Sequence, residues 1–189
     1  MLKFLTIITY IMFISSAELS TQTAKIDFEE FDLANGLHVI LHKDNTNPIV
    51  SVDIWYHVGA KDEDPGRTGF AHLFEHMMFQ GSGNVKKTEH FNYIQNAGGT
   101  LNGTTNQDRT NYFETAPSNQ LELLLWLESD RMSTLQVTQE NFDNQREVVK
   151  EEKRQRYDNV PYGSRWGEMM KRLFKGQTYD WIPIGSMED

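Results

Sequence analysis

The sequence of 189 residues contains no cysteine. A chain without cysteine forms no disulfide, offers no thiolate to a metal ion and has no thiol nucleophile. Any metal ion that this protein binds must therefore be held by histidine, aspartate or glutamate.

Basic residues are also scarce. Lysine and arginine number 18 against 27 aspartates and glutamates, which gives a formal net charge of -9. Binding to nucleic acid requires a basic face that neutralises phosphates, so this composition argues against a nucleic-acid partner. With 38% hydrophobic and 24% charged residues, the chain has the composition of a globular domain and not of a disordered one.

The sequence has no uninterrupted apolar run of the roughly 20 residues that cross a bilayer. A shorter run at residues 4–14 follows Lys3 and precedes the small residues Ser15 and Ala17. This order is typical of a secretory signal peptide, although an uncleaved anchor is the alternative interpretation of the same run. We expect a signal peptide at 1–17 and a secreted or periplasmic protein, with no stable membrane span after signal cleavage.

The remaining chain alternates strand and helix patterns without repeats or long linkers, which indicates a short lead-in at 18–30 and one domain over 31–189. Asn35-Gly36 lies between two apolar alternating segments and predicts a hairpin, to which a third antiparallel strand at 49–58 should pair. Helices are predicted after the loop at 59–69, over 88–97, over 121–132 and from a Thr138 cap to about residue 157. Two short strands are predicted over 100–116, joined by a turn at 106–108. The predicted fold class is α+β, a mostly antiparallel sheet with helices packed on one side.

Two histidines and a glutamate stand among apolar residues in the segment GFAHLFEHMMFQGSG. His72, Glu75 and His76 occupy positions i, i+3 and i+4, so on a helix their side chains leave from one face. Two imidazoles so placed can share a divalent ion, and the carboxylate beside them can hold a water molecule. The spacing is H-x-x-E-H, the inverted zinc-protease motif. Two part-buried histidines bonded to a surface glutamate would show the same spacing, so a third ligand must decide.

The helix after Thr138 offers three glutamates as a third ligand. At about 100 degrees per residue, the buried direction set by Val148 and Val149 has Glu152 near its centre. Glu151 lies about 110 degrees away and Glu147 points nearly opposite. An inward glutamate is costly to bury unless it is paired or binds a metal ion, so we expect Glu152 to face the histidines and the other two to face solvent.

The sequence resembles the pitrilysin/insulinase metallopeptidases, the inverzincins, which include the mitochondrial processing peptidase. The resemblance rests on HLFEH at 72–76, on Glu152 at 76 residues past the second histidine, and on GGTLNGTTNQDRTNYFETAPSN at 98–119. It covers the chain from about Phe31 to its end. The family implies a processing-peptidase-like metallohydrolase domain and a zinc-dependent endopeptidase that acts on extended peptides or small unfolded proteins.

The resemblance also implies roles for individual residues. One zinc ion would be bound by His72, His76 and Glu152, and Glu75 would activate water as the general base. Substrate would pair with an edge strand, the residues concerned being Leu101, Asn102, Gly103, Thr104 and Thr105. Many members carry a second glutamate one helical repeat before the third ligand, where this chain has Gln145. An amide in that second-shell position can donate a hydrogen bond but adds no negative charge.

Two other functions are compatible with part of this pattern. S-ribosylhomocysteine lyase also carries H-x-x-E-H but needs a catalytic cysteine, which this chain lacks. A noncatalytic, peptidase-like scaffold subunit of a two-component peptidase is the alternative from another class. The presence of both histidines and both glutamates weighs against it.

The last residues resemble the beginning of a helix, because Ser186 is followed by acidic residues. We therefore expect the domain to be incomplete at its C-terminus. Members of the resembled family continue through a second, similar domain that closes over the zinc site, so the expected partners are a peptide substrate and a second homologous domain or subunit.

Overall fold

The computed structural model describes residues 25–189. The predicted signal peptide at 1–17 and the first part of the lead-in lie outside the described residues. The described chain divides into two compact units, one that ends at Asn47 and one that runs from Pro48 to Asp189.

The first unit is a β-hairpin. Strand β1 (Glu29–Asp32) pairs antiparallel with β2 (His38–Leu41), and Asp32 lies opposite His38. Gly36 adopts a φ of 86°, a left-handed conformation that glycine reaches without steric cost. The hairpin predicted from Asn35-Gly36 is therefore confirmed.

The second unit contains a three-stranded antiparallel sheet in the order β3-β5-β4. Its strands are β3 (Ile49–Tyr56), β4 (Thr100–Thr105) and β5 (Thr110–Pro117). The prediction that the third strand pairs with the hairpin is wrong, because β3 pairs along its whole length with β5. Local alternation identifies a strand but carries no information about a partner that is distant in sequence. Within residues 25–189, β4 is an edge strand.

Within the described residues, five α-helices accompany the sheet. Their bounds are α1 (Phe70–Met77), α2 (Glu89–Asn96), α3 (Leu121–Thr134), α4 (Gln139–Lys153) and α5 (Arg165–Leu173). Thr138 caps α4 as predicted, since its hydroxyl accepts a hydrogen bond from the Asn141 amide at 3.2 Å. A π-helical segment, Arg154–Asp158, follows α4. In the part of the chain that the structure describes, no helix is both long and apolar enough to cross a membrane.

The core lies on one face of the sheet. Val50 and Val52 of β3 and Leu101 of β4 pack against the buried Ile94 of α2 and Leu124 of α3. Alternate residues of β3, such as Asp53 and Trp55, are exposed on the opposite face. This arrangement confirms the predicted α+β class with helices on one side of an antiparallel sheet.

A charged network is buried within this core. The His90 ring of α2 contacts the Glu114 carboxylate of β5 at 2.7 Å, and Arg131 of α3 makes a two-pronged ion pair with Glu128. The Arg131 guanidinium also lies over the Tyr112 ring, 4.2 Å from its centroid. Since these side chains are almost fully buried, each charge depends on its partner within the network.

Replacing Arg131 with methionine should strongly destabilise the protein. The Glu128 carboxylate would stay buried without its cation, which typically costs about 3–5 kcal/mol. Urea denaturation of the full-length protein measures the change in the free energy of unfolding. Arg154→Gln is the control, because it breaks an exposed ion pair with Glu151 and should cost less than about 1 kcal/mol. Equal losses in the two variants would contradict the assigned role of the network.

Candidate metal centre

The start of α1 is fixed by a side chain from the preceding loop. The two carboxylate oxygens of Glu63 accept hydrogen bonds from the backbone amides of Gly69 (3.0 Å) and Ala71 (2.7 Å). A carboxylate at a helix N-terminus accepts hydrogen bonds from amides that have no partner within the helix. Its negative charge also interacts favourably with the positive end of the helix dipole. Gly69 has a φ of 92°, and a Cβ there would lie 2.8 Å from the Ile184 carbonyl oxygen, so glycine is needed at this close approach. The helix that carries the H-x-x-E-H motif is thus held at its first turn.

The structure brings His72, His76 and Glu152 together. Both ring Nε2 atoms face Oε2 of Glu152, at 3.8 Å from His72 and 3.3 Å from His76. The two rings lie one helical turn apart with centroids separated by 4.8 Å. The side chains are 12%, 22% and 16% exposed in the order given, so the cluster is largely shielded but open on one side.

Glu152 is aimed inward by the packing of α4 against α1. Val149, one turn earlier, is buried in a cluster with Leu73 of α1. The prediction that Val148 also sets the buried direction is wrong, because Val148 is 43% exposed. The other two glutamates face solvent as predicted. Glu147 pairs with Lys150 and Glu151 with Arg154, each at 3.3 Å.

Glu75 projects into the same cleft and is held by β4. Thr105 donates a hydrogen bond from its hydroxyl to Oε2 of Glu75 at 2.6 Å. Burial raises the pKa of Glu75, and the Thr105 hydrogen bond opposes part of that rise. Gly103 lies directly beside the carboxylate, since a Cβ built there would be 3.0 Å from Oε1 of Glu75.

His72 is a neutral imidazole at neutral pH. Burial, together with the nearby His76, lowers its pKa to about 4. Its Nδ1 is buried without a hydrogen-bond partner among the described residues. A neutral ring keeps a nitrogen lone pair available for a metal ion.

A cleft of about 590 Å³ surrounds these groups. Four of the five predicted substrate-strand residues line it, namely Asn102, Gly103, Thr104 and Thr105. Leu101 does not line the cleft, because its side chain packs against the hydrophobic core. Gln145, predicted as a second-shell residue, is buried beside the cleft, and its side-chain amide donates to Asn144 Oδ1 at 3.0 Å.

Arg156, which was not predicted as a site residue, also lines the cleft. Its Nη1 lies 2.6 Å from Oε1 of Glu152 and forms an ion pair with it. The i, i+4 spacing of the two residues on a helix is a signal from which this pair could have been predicted.

A second cluster of potential ligands lies in the core. Donor atoms of His90, Glu114 and Glu128 all lie within 4.8 Å of one another. Arg131 already supplies a positive charge to this cluster through its ion pair with Glu128. We therefore assign this cluster to the stability of the core, whereas the cluster around Glu152 opens into a cleft.

Comparison with known proteins identifies the family. Residues 38–179 match the sequence profile described as Insulinase (Peptidase family M16). The chain belongs to this peptidase family. The resemblance expected from the H-x-x-E-H segment is confirmed.

Two relatives show how much of an M16 protein the chain represents. It is 33% identical over 174 residues to the zinc protease PqqE of Helicobacter pylori, an alignment that covers 92% of this chain and 39% of the relative. It is 31% identical over 90 residues to human insulin-degrading enzyme, covering 47% of this chain and 9% of the relative. The chain thus spans about two fifths of the first relative's length.

Solved structures agree with the M16 fold. A crystal structure of a protease from Helicobacter pylori matches with a TM-score of 0.83 and 33% identity, over 86% of this chain and 39% of that chain. A peptidase M16 inactive domain from Pseudomonas fluorescens matches with a TM-score of 0.77 and 14% identity, over 86% of this chain and 40% of that chain. The second likeness shows the fold alone.

The donor set of the cleft fits the zinc ion that these zinc-protease relatives imply. The separations of 3.3 and 3.8 Å between the histidine nitrogens and Glu152 Oε2 exceed an ordinary hydrogen bond. Ligand atoms about 2.0–2.1 Å from a tetrahedral zinc ion lie about 3.3 Å from one another. Two imidazole nitrogens and one carboxylate oxygen also form a typical catalytic zinc set with one open position. The spacing therefore favours a metal centre over two histidines bonded to a glutamate.

Glu152→Gln should weaken zinc binding by at least about 100-fold, because an amide oxygen is a neutral and poorer ligand. Competition with a chromophoric chelator measures the affinity of the full-length protein for zinc. Glu151→Gln is the matched control, because it makes the same change at the adjacent, solvent-exposed residue. Similar affinities in the two variants would show that Glu152 is not a ligand.

Proposed function

We propose that this protein is a zinc-dependent endopeptidase that hydrolyses extended peptides or small unfolded proteins. The observation that carries the proposal is the convergence of four side chains in one cleft beside an edge strand. His72, His76 and Glu152 supply the metal ligands, and Glu75 stands on the same helical face as the histidines. The membership of the M16 family supports the same reaction class.

The residues of the cleft have separate roles in this reaction. A zinc ion held by the two histidines and Glu152 would polarise the scissile carbonyl and lower the pKa of a water molecule. Glu75 takes the proton of the attacking water and passes it to the leaving amine. Thr105 fixes one oxygen of Glu75, so the other oxygen is directed over Gly103 towards the substrate. The raised pKa of Glu75 brings its carboxyl closer to the range in which it can both accept and release a proton.

Substrate binds along β4. One edge of β4 pairs with β5, and within residues 25–189 the other edge has no strand partner. A peptide added to this edge would form backbone hydrogen bonds that depend little on its side chains. Leu101 contributes backbone only, because its side chain is committed to the core.

We also propose where the protein acts and what completes its site. The signal peptide at 1–17 would direct the chain to the periplasm or outside the cell, with 31–189 as an N-terminal zinc-peptidase domain. A second homologous domain or subunit would close over the cleft, so residues 1–189 alone should hydrolyse peptides poorly. A periplasmic protease, PqqL of Escherichia coli, shares the fold with a TM-score of 0.74 at 23% identity.

A noncatalytic scaffold subunit is the second candidate. The likeness in fold to an inactive domain from Pseudomonas fluorescens favours it, as does Gln145 in place of a glutamate. The two functions differ in what a zinc-loaded protein does to a peptide.

Glu75→Gln should lower the rate of cleavage of an unstructured fluorogenic peptide by about 10²–10⁴-fold, because the amide cannot accept a proton. The zinc content of the purified full-length protein, measured by atomic emission, should not change. Glu147→Gln, on the exposed face of α4, controls for the loss of one negative charge. A zinc-loaded wild-type protein that cleaves no peptide in its complete assembly would favour the scaffold.

Gly103→Ala should lower kcat by about 10–100-fold while zinc remains bound. The new methyl group would come within 3.0 Å of Glu75 Oε1 and displace the general base, and small displacements of catalytic groups have effects of this size. Gly167→Ala is the control, since its methyl group would meet nothing nearer than 3.9 Å. An unchanged kcat in the Gly103 variant would contradict the placement of Glu75.

A further inference from the structure

The two oxygens of the Glu152 carboxylate have different partners. Oε2 faces the Nε2 atoms of both histidines, whereas Oε1 forms an ion pair with Arg156 Nη1 at 2.6 Å. Oε2 therefore faces the candidate metal position, and Oε1 contacts the Arg156 cation.

Arg156 differs from the other arginines near it. Arg146 pairs with Asp143 and Arg154 pairs with Glu151, and both of these carboxylates are well exposed. Arg156 is the arginine of this region that reaches a carboxylate only 16% exposed, although it is itself 72% exposed. Exposed ion pairs contribute little to folding stability, so a folding role explains this contact poorly.

Arg156 lies within the π-helical segment. The Asn159 amide donates to the Arg154 carbonyl at 2.8 Å, an i to i+5 bond that widens the turn at the end of α4. Such segments occur frequently at functional sites, where they redirect side chains. Here Arg156 lines the metal cleft, four residues after the candidate ligand.

We propose that Arg156 is a positioning residue of the metal centre, which holds Oε1 of Glu152 so that the carboxylate offers only Oε2 to the metal ion. This inference rests on the proposed function. A carboxylate that binds through both oxygens would fill a position that a catalytic zinc site keeps open for water and substrate. The ion pair also restrains the rotation of the carboxylate, as outer partners of metal ligands generally do.

The positive charge of Arg156 has an opposing effect, because it repels a divalent cation. At the exposed rim this repulsion is screened by water and salt, whereas the close ion pair acts on a largely shielded carboxylate. The two effects differ in sign. Removing Arg156 would weaken metal binding if its positioning of Glu152 dominates, and would strengthen metal binding if its repulsion of the cation dominates.

The test compares Arg156→Gln with Arg154→Gln in the full-length protein. Both variants remove one positive charge from the same π-helical segment, but Arg154 contacts only the exposed Glu151. Chelator competition should show about 10-fold weaker zinc binding for Arg156→Gln, at the lower end of the effect of losing an outer partner, and wild-type affinity for Arg154→Gln. Arg156→Lys, which keeps the charge but not the planar fork, should lie between wild type and Arg156→Gln.

Cobalt(II) in place of zinc supplies a readout that is independent of activity. Its visible absorption is stronger for four ligands than for five, so binding of both Glu152 oxygens in Arg156→Gln should weaken the band. Zinc binding in Arg156→Gln that is unchanged or tighter, with the same cobalt spectrum as Arg154→Gln, would overturn the inference and leave the proposed function intact. A wild-type protein that binds no zinc would overturn the proposed function and the inference with it.

Discussion

The packing of α1 against α4 is the constraint on which the candidate site depends. Leu73 and Val149 meet in one buried cluster with Ile184, and this contact fixes the rotation of both helices. Because His72 and Glu152 lie within a turn of these apolar residues, the same rotation points the imidazoles and the carboxylate at one another. Hydrophobic packing therefore positions polar groups that come from segments far apart in the sequence.

The two polar clusters differ in the groups that face their carboxylates. In the core, Arg131 neutralises Glu128 through an ion pair that is shielded from solvent. In the cleft, Glu152 faces two histidines, of which His72 is kept neutral by burial. Arg156 pairs with the outer oxygen, Oε1. This contrast separates a charge network that stabilises the fold from a cluster that is suited to binding a dication.

Much of this site could be predicted because its signals are local. The i, i+3, i+4 spacing of the motif and the helical periodicity around Glu152 depend on residues within one turn, and Asn35-Gly36 specifies its own hairpin. The pairing of β3 with β5 could not be predicted, since register between distant strands depends on the whole sheet. The exposure of Val148 and the inward side chain of Leu101 likewise depend on how neighbouring elements pack. The residues of the candidate site could therefore be predicted from the sequence, whereas the packing of the elements around them required the structure.

The most direct test of the central claim is a crystal structure of the full-length protein with anomalous data collected at the zinc absorption edge. We expect one strong anomalous peak about 2.0–2.2 Å from Nε2 of His72, Nε2 of His76 and Oε2 of Glu152. A peak at the buried cluster of His90, Glu114 and Glu128, or a zinc-loaded crystal in which Glu152 points into solvent, would contradict it.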